Sequence, residues 1–122
     1  MRGRLRILVC GGRDYNDRRR VFNNLARWAD ERPIHIIQGG ADGADRLAVE
    51  FARARSLPYT TYPADWKRHG RRAGPLRNQQ MLDEGKPDIV LAFPGGRGTA
   101  SMVRLAEDAG VDVCRFAEND HD

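Results

Sequence analysis

Residues 88–102 read DIVLAFPGGRGTASM, an apolar run followed by a glycine-rich turn and the start of a helical pattern. An uninterrupted apolar strand is typical of a parallel sheet that is covered on both faces. The glycines leave backbone amides bare where the helix begins, and the dipole and unpaired amides of a helix N-terminus attract anions. The stretch therefore predicts a strand-to-helix junction whose amides at 95–99, together with the Thr99 hydroxyl, bind phosphate.

Short apolar runs alternate with helical patterns along the rest of the chain. After the first run, apolar residues at 21, 22, 25, 28 and 29 share one helical face. Successive βα units of this kind predict an α/β fold, a single-domain Rossmann-like three-layer sandwich with a mainly parallel sheet of about five strands. The predicted domain covers 1–116, followed by a polar tail at 117–122. Strands are predicted at 5–10, 34–38, 57–63, 88–93 and 111–116.

Two later segments depart from the simple alternation. Residues 63–74, PADWKRHGRRAG, have no regular period and carry many cations, so they are predicted to form a long loop. That loop either closes over phosphate or is a solvated surface. Further helices are predicted to begin at Pro75, which suits a first helical position, and at about Thr99.

Length and composition restrict the class of protein. A chain of 122 residues with 40% apolar and 31% charged residues is typical of one soluble globular domain. No apolar run approaches the roughly 20 residues that span a bilayer, and the N-terminus has no signal-peptide pattern, so we expect a cytoplasmic protein without a membrane partner. Cys10 and Cys114 are too few for a disulfide framework and are expected to be reduced, small hydrophobes at strand ends.

The charge of the chain favours an anionic ligand. The net charge is +4, and the basic residues are almost all arginine, whose planar fork suits phosphate. A soluble surface with a basic bias explains the same charge equally well.

Three times the chain leaves a strand through glycine and enters a helix: CGGRD at 10–14, QGGADGAD at 38–45 and FPGGRGT at 93–99. In a parallel sheet these junctions meet at the carboxyl edge, where ligands bind at the switch in strand order. Tight turns that need glycine only for their geometry are the alternative at each junction. The predicted ligand or phosphate contacts are Gly12, Gly39, Gly40, Pro94, Gly95, Gly96, Gly98 and Thr99.

Polar and aromatic side chains near these junctions extend the predicted site. Arg13, Arg77 and Asn78 are predicted to contact the ligand, and Trp66 to stack on a base or else to anchor its loop in the core. Asp42 and Asp45 either cap a helix or contact ribose hydroxyls, and capping is the favoured interpretation. No cluster of His, Cys and Asp has the spacing of a zinc site, so neither a metal nor a cofactor is expected.

These motifs carry a resemblance to a known family. PGGRGT resembles the P-G-G-x-G-T motif of LOG-type nucleotide phosphoribohydrolases. The wider set is similar to the YspA/YpsA-related branch of the SLOG superfamily, which also includes DprA-type DNA-processing proteins. The resemblance implies a Rossmann-like fold, a nucleotide-derived ligand and a homodimer. It rests on GGRD, GGADGADRLA, PADW, AGPLRNQQM and AFPGGRGT, in that order between about residues 5 and 113.

The chain departs from the enzymes at one position. LOG enzymes carry a glutamate three residues after the threonine of the motif, and Met102 stands there in this sequence. The predicted function is therefore binding, sensing or processing of a nucleotide-derived phosphate ligand. One alternative is a LOG-like phosphoribohydrolase whose displaced catalytic carboxylate is Asp14 or Asp65. Another is DprA-like binding of single-stranded nucleic acid.

Overall fold

The computed structural model describes residues 3–118, and its framework is a parallel β-sheet. The strands lie in the order β3-β2-β1-β4-β5, and each pairing between neighbours is parallel. Within the described residues, the predicted α/β fold and five-stranded parallel sheet are confirmed. The strands are β1 (Leu5–Cys10), β2 (Ile34–Gln38), β3 (Tyr59–Thr61), β4 (Ile89–Ala92) and β5 (Asp112–Arg115).

Helices cover both faces of the sheet. Side chains alternate along β1, so Ile7 and Val9 join the buried cluster beneath α1 and α2, whereas Leu8 and Cys10 join the one beneath α4 and α5. Burial on both faces explains why β1 is apolar from Ile7 to Cys10. The helices are α1 (Arg18–Glu31), α2 (Ala44–Ala54), α3 (Trp66–His69), α4 (Ala73–Asp83) and α5 (Arg97–Asp108), and a 3-10 turn at Gly70–Arg72 joins α3 to α4.

The segment 63–74 differs from its prediction as an irregular loop. Asp65 caps α3, because its carboxylate accepts a hydrogen bond from the Arg68 amide at 3.2 Å. The chain then continues through the 3-10 turn directly into α4, which begins at Ala73 rather than at Pro75. Four-residue helices are too short for a periodic pattern, and this accounts for the error.

Asp17 caps α1, since its carboxylate accepts from the Arg20 amide at 3.1 Å. The prediction for the cysteines needs correction. Both cysteines are free, but only Cys10 is buried, whereas Cys114 is exposed on the edge strand β5. Of the predicted polar tail, residues 119–122 lie outside the described range.

The order of strands creates a crevice between β1 and β4. The chain runs from β1 toward β2 and β3 on one side and returns to β4 on the other, so the loops after β1 and β4 diverge at this point. They touch at their start, where the Gly12 amide donates to the Pro94 carbonyl at 2.8 Å. A side chain at Gly95 would place its Cβ 2.6 Å from the Gly12 nitrogen, so the approach of the two loops requires glycine there.

Candidate functional site: a cavity at the carboxyl edge of the sheet

A cavity of about 360 Å³, here called the main cavity, lies at the crevice between β1 and β4. The loops after β1 and β2 and the helices α4 and α5 all contribute to its wall. The apolar side of the wall includes Met81 and Met102. Of the predicted contact residues, the lining contains Gly12, Arg13, Asp45, Trp66, Arg77, Asn78, Gly96 and Gly98.

The glycine-rich junction before α5 contributes to two different surfaces. Gly96 and Gly98 line the main cavity, whereas Pro94, Gly95 and Thr99 line a groove of about 450 Å³ beside β5, which Gly96 also borders. The predicted cradle at 95–99 is therefore divided between two sides of the helix terminus. We call the groove beside β5 the outer groove.

The N-terminus of α5 carries no side-chain cap. Gly96 is the N-cap residue, and the first intrahelical bond runs from the Ala100 amide to the Gly96 carbonyl at 3.1 Å. A Cβ at Gly96 or Gly98 would meet nothing within 4 Å, and neither residue has a positive φ. Packing therefore does not require glycine at these two positions, where a side chain would instead occupy space beside the first-turn amides.

The amides of the loop after β2 are already used inside the protein. The Gly39 and Ala41 amides donate to Oδ2 of Asp45 at 3.0 and 3.3 Å, and the Gly40 amide donates to Oε1 of Gln38 at 2.6 Å. Gly39 and Gly40 therefore do not present open amides to a phosphate, contrary to the expectation for this junction. Sequence reasoning missed Gln38, although a glutamine that ends the apolar run IHIIQ was a signal of a buried polar role.

Asp45 is a buried carboxylate with a shifted pKa. Only 6% of the residue is exposed, and it lines the main cavity from the first turn of α2. Burial raises the pKa of Asp45 to about 6, while the two amide hydrogen bonds and the nearby Arg77 partly oppose this rise. The favoured interpretation of Asp42 as the cap of α2 is wrong, because Gly43 is the N-cap residue, without a side-chain cap, and Asp42 is exposed.

Arg77 connects three parts of the site from the second turn of α4. One terminal nitrogen, Nη1, donates to the Gly39 carbonyl at 2.8 Å and to the Tyr62 carbonyl at 3.4 Å, and Nε donates to Asn78 Oδ1 at 3.0 Å. Asn78 is buried, and its Nδ2 donates to the Gly98 carbonyl at 3.4 Å. Within residues 3–118, the other terminal nitrogen, Nη2, makes no hydrogen bond and remains available to an anion.

Burial and neighbouring charges act in opposite directions on Arg77. Burial lowers the pKa of the guanidinium, the Asp45 carboxylate raises it, and the Arg13 charge lowers it again. Arginine starts from so high a pKa that it stays protonated. The main cavity therefore holds one half-buried cation beside one buried carboxylate.

Trp66 separates the main cavity from a second compartment of about 260 Å³. The indole is 49% exposed and borders both spaces, and the Arg13 guanidinium lies 5.9 Å from its ring centre. The alternative in which this tryptophan anchors its loop in the core is therefore wrong. Gly39, Gly40 and Asp42 line the second compartment, together with Pro63 and Ala64.

The two predicted catalytic carboxylates do not line either space. Asp14 and Asp65 are exposed, neither belongs to the lining of the main cavity or of the second compartment, and Asp65 serves as the cap of α3. Asp45 is the acidic residue in the wall of the main cavity.

Residues 3–118 contain neither a cluster of metal-ligating side chains nor a membrane-spanning helix. Within that range, His, Cys, Asp and Glu side chains form no group of three or more that could hold a metal ion. None of the helices in the same range has the length and apolar character needed to cross a membrane.

Comparison with known proteins identifies the family. The model of the YspA, cpYpsA-related SLOG family matches residues 5–69, slightly more than half of the chain. The chain belongs to this SLOG family. The match includes the loops after β1 and β2 and Trp66, but it ends before Arg77 and α5.

A relative and a solved structure are similar to this chain over most of its length. The Gene 61 protein of Mycobacterium phage D29 is 38% identical over 122 residues, covering 93% of this chain and 97% of the relative. DNA processing protein A (DprA) from Streptococcus pneumoniae has a similar structure, with a TM-score of 0.68 and 19% identity. The superposition covers 96% of this chain and 52% of DprA, so the chain spans about half the length of that protein, and the likeness shows the fold.

Proposed function

We propose that this SLOG protein binds a nucleotide or a nucleotide-derived phosphate ligand in the main cavity. The observation that carries the proposal is the pair of glycines at 96 and 98, where a Cβ would meet nothing within 4 Å and φ is not positive, yet no side chain is present. Both residues lie at the start of a twelve-residue helix without a side-chain cap. The helix dipole and the first-turn amides suit a phosphate in the space that these glycines leave open.

Two arginines complete the proposed phosphate site. Arg77 lines the cavity with its Nη2 group available, and Arg13 lines it from the loop after β1. A planar guanidinium donates paired hydrogen bonds to phosphate oxygens, which are stronger than bonds between neutral groups. We place the phosphate between the start of α5 and these two side chains.

The second compartment suits the remaining part of the ligand. Trp66 offers a half-exposed ring face between the two spaces, and aromatic side chains stack on nucleobases irrespective of the base. Arg13 lies close enough to the ring to hold it by a cation–π interaction. A base on Trp66 and a phosphate at α5 would bring the sugar between them.

The test compares two glycine-to-alanine variants. Gly98→Ala adds a methyl group to the main cavity, and Gly3→Ala adds one at an exposed site outside it, where a Cβ also meets nothing within 4 Å. Each protein is titrated calorimetrically with the four nucleoside 5′-monophosphates and with ADP-ribose. We expect Gly98→Ala to weaken binding by about 10- to 100-fold, the equivalent of a lost hydrogen bond to a charged group. Gly3→Ala should bind like the wild type.

Free base is measured by chromatography in the same tubes. Binding without release of base supports a binding module, whereas release of base would show a phosphoribohydrolase. If no nucleotide binds to the wild-type protein, or if Gly98→Ala binds as tightly as Gly3→Ala, the proposed site is wrong.

Single-stranded nucleic acid is a second candidate ligand, favoured by one surface feature. The segment that follows Trp66 carries five cationic or titratable side chains, all of them exposed, beside a half-exposed ring. Aromatic stacking next to a cationic surface is the usual arrangement in proteins that bind single strands. These side chains are Lys67, Arg68, His69, Arg71 and Arg72.

A further inference from the structure

The two oxygens of the Asp45 carboxylate have different environments. Oδ2 accepts both hydrogen bonds from the loop after β2, from the Gly39 and Ala41 amides. Oδ1 accepts no hydrogen bond from residues 3–118, and it is accessible to solvent. One oxygen therefore holds the loop, and the other is open to the main cavity, although only 6% of the residue is exposed.

An ionised carboxylate oxygen accepts hydrogen bonds and cannot donate them. The phosphate dianion of a nucleoside monophosphate has no proton to offer and would be repelled, because both groups are negative and the surroundings have a low dielectric constant. The group that approaches Oδ1 must therefore be a hydrogen-bond donor without a negative charge. In a nucleotide with its phosphate at α5 and its base on Trp66, the sugar would lie between them in the cavity that Asp45 lines, and its donors are hydroxyl groups.

We propose that Asp45 makes the site specific for ribonucleotides, because Oδ1 accepts a hydrogen bond from a 2′ or 3′ hydroxyl of the ribose. This proposal rests on the proposed nucleotide-binding function and adds a sugar specificity to it. A ligand without that hydroxyl leaves a buried carboxylate oxygen without a donor, and sites built around a substrate hydroxyl reject analogues that lack it. The same charge also repels inorganic phosphate, whose dianion brings two negative charges and a single hydroxyl donor.

Asp45→Asn separates this role from the structural one. Asparagine has nearly the same shape, and its carbonyl oxygen can still accept from the Gly39 and Ala41 amides, so the loop keeps its anchor. The amide nitrogen then replaces the open oxygen and brings a donor without a negative charge. Asp112→Asn is the matched control, since it removes the same charge from an exposed position on β5 outside the main cavity.

The experiment measures binding by calorimetry at pH 8, where the carboxylate and the phosphate are both ionised. The ligands are each nucleoside 5′-monophosphate, its 2′-deoxy and 3′-deoxy forms, and inorganic phosphate. For the wild type and Asp112→Asn, we expect at least one deoxy form to bind about 10- to 100-fold more weakly than the ribonucleotide. For Asp45→Asn, that ratio should fall toward one, and inorganic phosphate should bind more tightly than it binds to the wild type.

The outcomes distinguish the two proposals. If the wild type binds ribonucleotides and both deoxy forms equally, the sugar specificity is wrong while nucleotide binding stands. An unchanged ratio in Asp45→Asn, with no gain in phosphate affinity, would assign the discrimination to another residue. If the wild type binds none of the nucleotides, both proposals fail together.

Discussion

Burial of a single carboxyl group couples the stability of this protein to pH. The pKa of Asp45 is about 6 in the folded protein against an ordinary value of 3.8. Between these two values the folded state binds more protons than the unfolded state does, so the free energy of unfolding falls as the pH rises. Integrated over the whole interval, this contribution amounts to at most about 3 kcal/mol, and it is fully present only below pH 3.8.

Asp45→Asn should remove this dependence. We expect the free energy of unfolding of the wild type to decrease relative to that of Asp45→Asn as the pH rises from 4.5 to 7, because the variant has no carboxyl group to ionise at this site. Urea denaturation at several pH values measures the difference. Asp112→Asn, exposed on β5, should follow the wild type, and parallel profiles for wild type and Asp45→Asn would contradict the raised pKa.

Arg77 gives a second prediction for a single residue. Its guanidinium donates to the carbonyls of Gly39 and Tyr62 and to the Asn78 side chain. An ammonium group does not reproduce this planar arrangement of donors. We expect Arg77→Lys to keep the charge but to lose about 1–3 kcal/mol of stability, since buried acceptors are left without donors. Thermal denaturation measures the loss. An exposed arginine, as in Arg19→Lys, is the control, and an equal melting temperature for the two variants would contradict the connecting role of Arg77.

At the level of the secondary-structure elements, the glycines before α5 fall into two classes. A Cβ at Gly95 would lie 2.6 Å from the Gly12 nitrogen and would also clash with the Thr99 hydroxyl, whereas a Cβ at Gly98 meets nothing. Gly95→Ala should therefore cost about 1–3 kcal/mol through overpacking. Gly98→Ala should keep or raise stability, because alanine is the better helix former.

The two alanine variants are distinguished by thermal denaturation without ligand. We expect a lower melting temperature for Gly95→Ala only, together with weaker nucleotide binding for Gly98→Ala. Destabilisation by Gly98→Ala would show that packing requires this glycine, and the argument for a ligand at this position would then be lost.

Sequence patterns predicted the strands better than the site. The bounds of β1 and β2 match the prediction, because both are mainly apolar runs that are followed by glycine. The short helix α3 was missed, since one turn shows no periodicity. The interpretation of Asp45 as a helix cap was wrong for a different reason, because its carboxylate accepts hydrogen bonds from amides of the preceding loop. No local sequence pattern predicts that conformation of the loop.

At the scale of the whole molecule, the net charge of +4 favours anions of any size, so the salt dependence of binding distinguishes the two candidate ligands. A single strand that contacts five phosphates should lose about 100-fold in affinity between 50 and 200 mM salt, through release of counterions. A mononucleotide in a preformed site has no such counterions to release. Its affinity should change by less than about 10-fold over the same range.

Fluorescence anisotropy with a labelled oligonucleotide and calorimetry with a mononucleotide measure these two slopes. A steep slope for the oligonucleotide that disappears when Lys67, Arg68 and Arg71 are replaced by glutamine would favour the cationic segment as a nucleic-acid surface. Weak oligonucleotide binding at every salt concentration, with a shallow slope for the mononucleotide, would leave the main cavity as the binding site.

Cys114 is a natural labelling site, because the two cysteines differ in their exposure to solvent. Cys10 is buried, and burial raises the pKa of its thiol to about 12, so it stays protonated and out of reach of maleimide reagents. Cys114 is exposed on the edge strand and accessible to them. Because the chain has only these two cysteines, the unmutated protein can carry one fluorophore at a known position. Energy transfer from tryptophan to that fluorophore, compared between the wild type and Trp66→Phe, would then report movement of the segment around Trp66 when a ligand binds.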